Sequence, residues 1–400
     1  MKNRTKQTLT TCVVALALLA PVAAAKPLKV FILSGQSNMQ GHAQLSTFDV
    51  IGLDPETAPM LAEMRNADGT PRVCEKVWIS SIGSADDEQV GKLTAGFGAA
   101  QRGPKIGPEF TFGIYMQKFL DEPILIIKTA WGGKSLNTDF RPPSAGAFEF
   151  RDEQLEAFAE QGKDVDKIKA EKIAATGHYY RLMIEHAKMV LADIKRVYPD
   201  YEPDQGYELA GFVWFQGWND MVDGSTYPKR GQAGGYAQYS ELLAHLIRDV
   251  RKDLSAPDLP FVIGVMGAGG PVEKYAPEKQ RYAGIHSGFR NAMAAPAALP
   301  EFKDKVTAVL TENYWDLELE ALRAKDKGIQ NDVKALKKAG EIEDEKEALE
   351  GRRAKAFTPR ELQILTEGAS NFEFHYLGSG KILGQIGKAF AEAMAQLMKN

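Results

Sequence analysis

Val30-Phe31-Ile32-Leu33-Ser34-Gly35-Gln36-Ser37-Asn38-Met39 is the stretch on which the reading of this chain turns, because an apolar run passes through a glycine-opened turn and delivers a single serine. Apolar residues at successive positions suit a strand buried on both faces. A glycine directly after them lets the chain bend where a Cβ would obstruct. Ser37 therefore stands at the carboxyl end of a first strand, the edge at which open α/β sheets bind their ligands.

The same pattern recurs along the chain. Apolar runs at residues 28–33, 76–80, 123–130, 210–215, 260–266 and 306–310 alternate with helix-like stretches at 110–120, 178–197, 236–254, 282–294 and 382–398. That alternation predicts a parallel sheet with helices on both faces. Two segments break it and read as insertions. Residues 142–172 are polar and rich in Glu and Lys, and residues 317–355 are dense in charge, with Gly328 and Gly340 as breaks, which predicts a solvated helical hairpin. Residues 26–400 read as one large domain carrying both.

The first 25 residues have the form of an export signal: Lys2, Arg4 and Lys6, then an apolar run from Cys12 to Ala20, then Ala23-Ala24-Ala25 as a cleavage site. The apolar run is shorter than the roughly 20 residues a membrane span requires, and no later run approaches that length. The expectation is an exported chain, periplasmic or extracellular, soluble once the leader is removed. Loss of a leader with three basic and no acidic residues takes the formal net charge from −4 to −7, and nothing in that balance suggests nucleic acid. Cys74 is then the sole cysteine, so stability must come from a core and not from an intramolecular disulfide.

Four segments, each at a strand end or just before a helix, hold the residue types that acyl transfer requires. Ser37 is the candidate nucleophile, and a serine hydroxyl needs a nearby base to attack a carbonyl at neutral pH. His375, in Glu373-Phe374-His375-Tyr376-Leu377-Gly378, is the candidate base. Gly132 and Gly133, after the strand ending at Ala130, offer backbone N–H groups to an oxyanion, and Gln216 and Asn219 offer side-chain amides. Trp131 and Trp218 flank those donors, where an aromatic face could stack on a substrate or pack at the sheet edge. His42, five residues after Ser37, could line the site or bond to a turn. No His, Cys and carboxylate cluster has metal-ligand spacing, and a lone Gly-x-Ser would more often cap a helix.

The GQSNM block, the Gly-Gly loop, Gly217-Trp218-Asn219-Asp220 and the C-terminal histidine together resemble the SGNH (GDSL-like) hydrolase superfamily. Within it, GQSNM and Trp214-Phe215-Gln216-Gly217 are similar to the sialate O-acetylesterase-like branch, related to carbohydrate esterase family six. The resemblance implies a flavodoxin-like three-layer α/β sandwich, with Ser37 as nucleophile and His375 as base. It implies Ser37, Gly132 or Gly133, and Asn219 or Gln216 around the oxyanion. It also implies hydrolysis of O-acetyl esters on a carbohydrate, with no cofactor. One block departs from the family: its DxxH pattern would place an acid at position 372, which is Phe. Glu373 is then the expected acid, since residues two apart in an extended segment share a side. Asp316 and an acid-free Ser-His dyad are the alternatives. A carbohydrate-binding protein without turnover, or a general short-chain esterase, would carry the same residues.

Overall fold

The computed structural model describes residues 26–399 apart from Asp86 and Asp121; the expected leader, residues 1–25, lies outside the described residues. Among these, the central sheet holds β1 (Leu28–Gly35), β2 (Val77–Gly83), β3 (Gln89–Lys92), β4 (Ile124–Ala130), β5 (Tyr207–Phe215), β6 (Phe261–Val265) and β7 (Val306–Leu310). They stand in the order β3-β2-β4-β1-β5-β6-β7, all parallel except the edge strand β3. The six expected runs are all strands; β3 is short and largely exposed, so it has no apolar run to announce it. The chain leaves β1, builds the sheet on one side of it, and returns past it to build the other.

The helices that cover the sheet or shape its edge are α1 (Ser37–Gln40), α2 (Glu109–Leu120), α3 (His178–Ala192), α4 (Trp218–Val222), α5 (Ala237–Asp253), α6 (Ala283–Ala294), α7 (Leu317–Lys338), α8 (Glu345–Ala356) and α9 (Gly380–Leu397). Strand alternation sends Phe31 and Leu33 into one core with α2 and α9, and Val30 and Ile32 into a second core with α3, α5 and α6. The result is a three-layer α/β sandwich. Helices α2 and α9 cross backbone to backbone: Thr111 Oγ1 donates to the Gly384 carbonyl at 2.7 Å, and a Cβ on Gly387 would lie 2.1 Å from the Pro108 carbonyl oxygen. Residues 317–355 form a helical hairpin of α7 and α8, clamped by Arg353, whose guanidinium donates twice to the Asp326 carboxylate at 2.6 Å. The expected insertion at 142–172 carries two short helices without a buried residue, Asp152–Glu160 and Val165–Ala175, the second running past its expected end. No described helix is long and apolar enough to cross a membrane.

Register builds the functional edge. Gly35 pairs with Ala130 on one side and Phe215 on the other, and Gly83 also pairs with Ala130. Four strands therefore end level, and the residues after them, Ser37, Ser84, Gly132 and Gln216, emerge along one edge. A side chain at Gly35 would put its Cβ 2.1 Å from the Phe215 carbonyl oxygen, so only glycine lets β1 and β5 close up there.

Candidate active site

Ser37 is the first residue of α1 and is almost wholly buried, 7% exposed, at the wall of a cavity of about 480 Å³. The first turn of a helix leaves its N–H groups without intrahelical partners, so the Ser37 backbone N–H is available there. The other end of α1 is fixed from below. Lys128, a fully buried lysine in the middle of the sheet, donates to the Gln40 carbonyl at 2.8 Å, to the Phe97 carbonyl at 2.8 Å and to the Glu109 carboxylate at 2.7 Å. Burial pushes the ammonium down from the usual lysine range, and Glu109 opposes that shift.

The amides around Ser37 form a directed network. Gln36 Oε1 accepts from Gln216 Nε2 at 3.2 Å and from the Gly217 N–H at 3.0 Å. That fixes Gln36 Nε2 as donor, to Asn219 Oδ1 at 3.0 Å and, more loosely, to Ser37 Oγ at 3.5 Å. Asn219, on the cavity wall, therefore has its Nδ2 as the group free to donate. Gln216 does not reach the cavity: its Nε2 also donates to the Lys134 carbonyl at 3.0 Å and to Asp220 at 2.7 Å. It belongs to the framework, and Gln36, which the sequence reading passed over, takes the place beside the serine. Asp220 is fully buried and accepts from the Leu136 and Asn137 N–H groups at 2.7 and 3.0 Å, tying the Gly132-Gly133 loop to the start of α4. Burial raises its pKa.

Gly132 lies close to the serine, since a Cβ there would be 3.8 Å from Ser37 Cβ. Its N–H donates to Ser84 Oγ at 2.9 Å, and Ser84 donates on to Gln40 Oε1 at 3.1 Å. Gly133, with φ of 73°, faces open space, and its N–H has no partner among the described residues.

His375 sits in a tight turn packed against α1. The next three residues, Tyr376, Leu377 and Gly378, are all left-handed, with φ of 52°, 59° and 55°. That conformation costs a non-glycine residue about 1–3 kcal/mol unless its surroundings hold it. Here they do: the buried Tyr376 hydroxyl accepts from the Gly267 N–H at 2.7 Å and bonds Thr311 Oγ1 at 2.6 Å, and the Leu377 carbonyl accepts from the Ser370 and Asn371 N–H groups. Asn371 is thereby placed under the imidazole. Its Oδ1 accepts from the Phe372 N–H at 2.7 Å, and the same oxygen is 3.0 Å from His375 Nδ1. An oxygen already facing a backbone donor is an acceptor, so His375 Nδ1 carries the hydrogen and Nε2 keeps its lone pair.

His42 stacks on His375, with centroids 3.9 Å apart and planes within 1°. Its Nδ1 is 3.5 Å from Asn371 Nδ2, and its Nε2 is buried without a partner. Burial pushes His375 down to about 4; burial, and then the neighbouring His375, push His42 down to about 3. Ser37, His42 and His375 share the cavity, with no direct hydrogen bond between Ser37 and His375.

The expected acids are elsewhere. The Glu373 carboxylate turns away from the imidazole and pairs with Lys279 at 2.7 Å, beside a separate groove. Residues 373–375 form a 3-10 turn and not an extended segment, so Glu373 and His375 do not share a side. Asp316 caps α7 by accepting from the Leu319 N–H at 3.0 Å and pairs with Lys381 at 3.1 Å. Trp131 is buried against Phe140 and Tyr179 in the second core, not at the cavity. Trp218 does line it, packed against Phe374 with ring centroids 5.6 Å apart. Among the described residues no His, Cys and carboxylate group could hold a metal ion.

A mostly parallel sheet with helices on both faces defines an α/β protein, with a cavity holding serine, histidine and amides at the carboxyl ends of its strands. The chain belongs to the family of carbohydrate esterases described as sialic acid-specific acetylesterases, matched over residues 27–306, and is a carbohydrate O-acetylesterase. No curated protein sequence matches it. Among solved structures it is similar to a protein from Arabidopsis thaliana, at 17% identity and a TM-score of 0.37, over 71% of this chain and 86% of that one. It is also similar to a carbohydrate acetylesterase from Xanthomonas citri, at 16% identity and a TM-score of 0.38, over 72% of this chain and 51% of that one.

Proposed function

We propose that the protein is an exported serine esterase that removes O-acetyl groups from carbohydrates by acyl transfer through Ser37 and His375, in one catalytic domain spanning residues 26–400. His375 Nε2 takes the Ser37 proton as Oγ attacks the acetyl carbonyl. The resulting oxyanion is held by the Ser37 N–H, by Asn219 Nδ2 and by an N–H of the Gly132-Gly133 loop, that of Gly132 once the Ser84 hydroxyl gives way. Collapse expels the sugar oxygen, which takes the proton from His375. Water then enters by the same route and releases acetate. The scheme needs no cofactor.

The observation that carries this reading is the Asn371 contact, which leaves the imidazole with its lone pair on the nitrogen not engaged by Asn371. The lack of a carboxylate at His375 is what a sugar-binding protein without turnover would share, and one experiment separates the two. The mature protein is expected to release acetate from acetylated sugars, and Ser37→Ala to lower kcat by about 10⁴ or more while its circular dichroism is unchanged. Turnover that survives in the variant sinks the serine mechanism; sugar binding without acetate release by the parent favours the binding protein.

A further inference from the structure

We infer that the substrate is an uncharged O-acetylated pyranoside and not a sialate, a reading that rests on the esterase function proposed above. The described lining of the cavity consists of amides, hydroxyls, two imidazoles, glycines, alanines and the rings of Trp218 and Phe374, with no carboxylate, ammonium or guanidinium. Both imidazoles are held neutral by burial. A sialic acid carries a carboxylate that stays ionised near neutrality, and sites that recognise carboxylates use guanidinium or ammonium groups.

Two of the nearby cations are committed elsewhere, and two more stand outside the lining. Lys128 is occupied by Glu109 and two carbonyls. Lys105 donates to the carbonyls of Ala99, Ala100 and Gln101, where it holds the backbone of the opposite rim. Lys134 lies over the Tyr179 ring at 4.3 Å, and neither it nor Arg102 is part of the lining.

What the cavity does offer matches a neutral ring. A pyranose presents an apolar C–H face, which aromatic rings cover, and a hydroxyl edge, which amides bind. Phe374 lies edge-on to His375, Trp218 packs on Phe374, and Phe372 stacks on Phe374 with centroids 5.3 Å apart while remaining 67% exposed. An aromatic shelf thus runs outward from the catalytic imidazole. Gln101 and Ser84 line the same cavity with polar groups.

The test compares kcat/KM for three esters at pH 7: a mono-O-acetylated methyl xyloside, a 9-O-acetylated methyl sialoside, and the same sialoside with its carboxylate replaced by carboxamide. The xyloside is expected to exceed the sialoside by about 10- to 100-fold, the range for a desolvated group left unpaired. The carboxamide should recover most of that loss. A sialoside turned over as fast as the xyloside overturns the inference. So does a carboxamide no better than the parent acid, because shape and not charge then decides. If none of the three releases acetate, the esterase mechanism itself falls, an outcome distinct from a change in preference.

Discussion

In the proposed mechanism Asn371 occupies the place where a carboxylate would ordinarily steer the imidazole of His375, and the exchange has a definite consequence. A neutral amide sets the tautomer but adds no negative charge, so burial alone governs His375 and holds it down to about 4. A protonated imidazole cannot accept the serine proton, so activity is lost as pH falls through that value and persists above it. Asn371→Ala removes the acceptor and frees the ring to adopt the other tautomer; kcat is expected to fall by about 10²–10⁴. Asn371→Asp keeps the acceptor and adds charge, which moves the acid limb of kcat/KM upward from near 4. A pH–rate series on both variants checks this, and an unmoved limb in the aspartate variant would show that the Asn371 contact is not made in solution. Glu373→Gln serves as the control: its carboxylate is on Lys279 and half exposed, so kcat should stay within about two-fold of the parent, since such surface pairs contribute only about 0–1 kcal/mol.

Helix α1 is the element that converts the strand end into a site, and its lower support is Lys128. This lysine sits in a strand whose neighbours Ile126 and Ile127 are fully buried, and it reaches the last residue of α1, Gln40, from beneath. Replacing it by Met leaves Glu109 as an unpaired buried charge, which costs about 3–5 kcal/mol. Lys128→Met should lower the urea midpoint and raise KM, while the double variant Lys128→Met/Glu109→Gln should regain part of the stability; a single variant as stable as the parent would remove this role. The element scale also shows what the chain discloses on reading. Strands buried on both faces declare themselves as apolar runs, and Gly35 marks where the backbones of β1 and β5 must come close. Lys128 escapes notice because its place inside an apolar run gives no sign of the carbonyls and the Glu109 carboxylate that it meets, which come from residues distant in sequence. Asn371 escapes because its approach to His375 depends on the left-handed turn at Tyr376 and Leu377, whose cause is a Tyr376 hydroxyl bonded to β6 and β7 neighbours distant in sequence. Trp131 and Trp218 both stand beside glycines at strand ends, and only packing distinguishes the core ring from the cavity ring.

The whole molecule couples this chemistry to its own stability through histidines kept neutral. Burial holds His42 down to about 3 and His375 and His286 down to about 4, whereas the unfolded chain titrates near 6.5. Between those values the unfolded state binds protons that the native state refuses, so stability rises with pH in that window and is lost as pH drops from 6.5 toward 4. Each histidine contributes at most about 1.4 kcal/mol per pH unit, and partial exposure of the rings reduces the sum to about 2–4 kcal/mol between pH 7 and 5. His375, the proposed base, stays unprotonated across the same range. Initial rates measured within seconds of dilution should therefore be nearly flat from pH 7 to 5, while the urea midpoint falls steadily and prolonged incubation near the thermal midpoint inactivates the enzyme faster at pH 5. His286 lies on α6, bonded to Tyr275 at 2.7 Å and outside the catalytic cavity. His286→Gln should flatten the dependence of the urea midpoint on pH and leave the rate profile alone, whereas an unchanged slope would mean that the buried histidines do not set the acid edge.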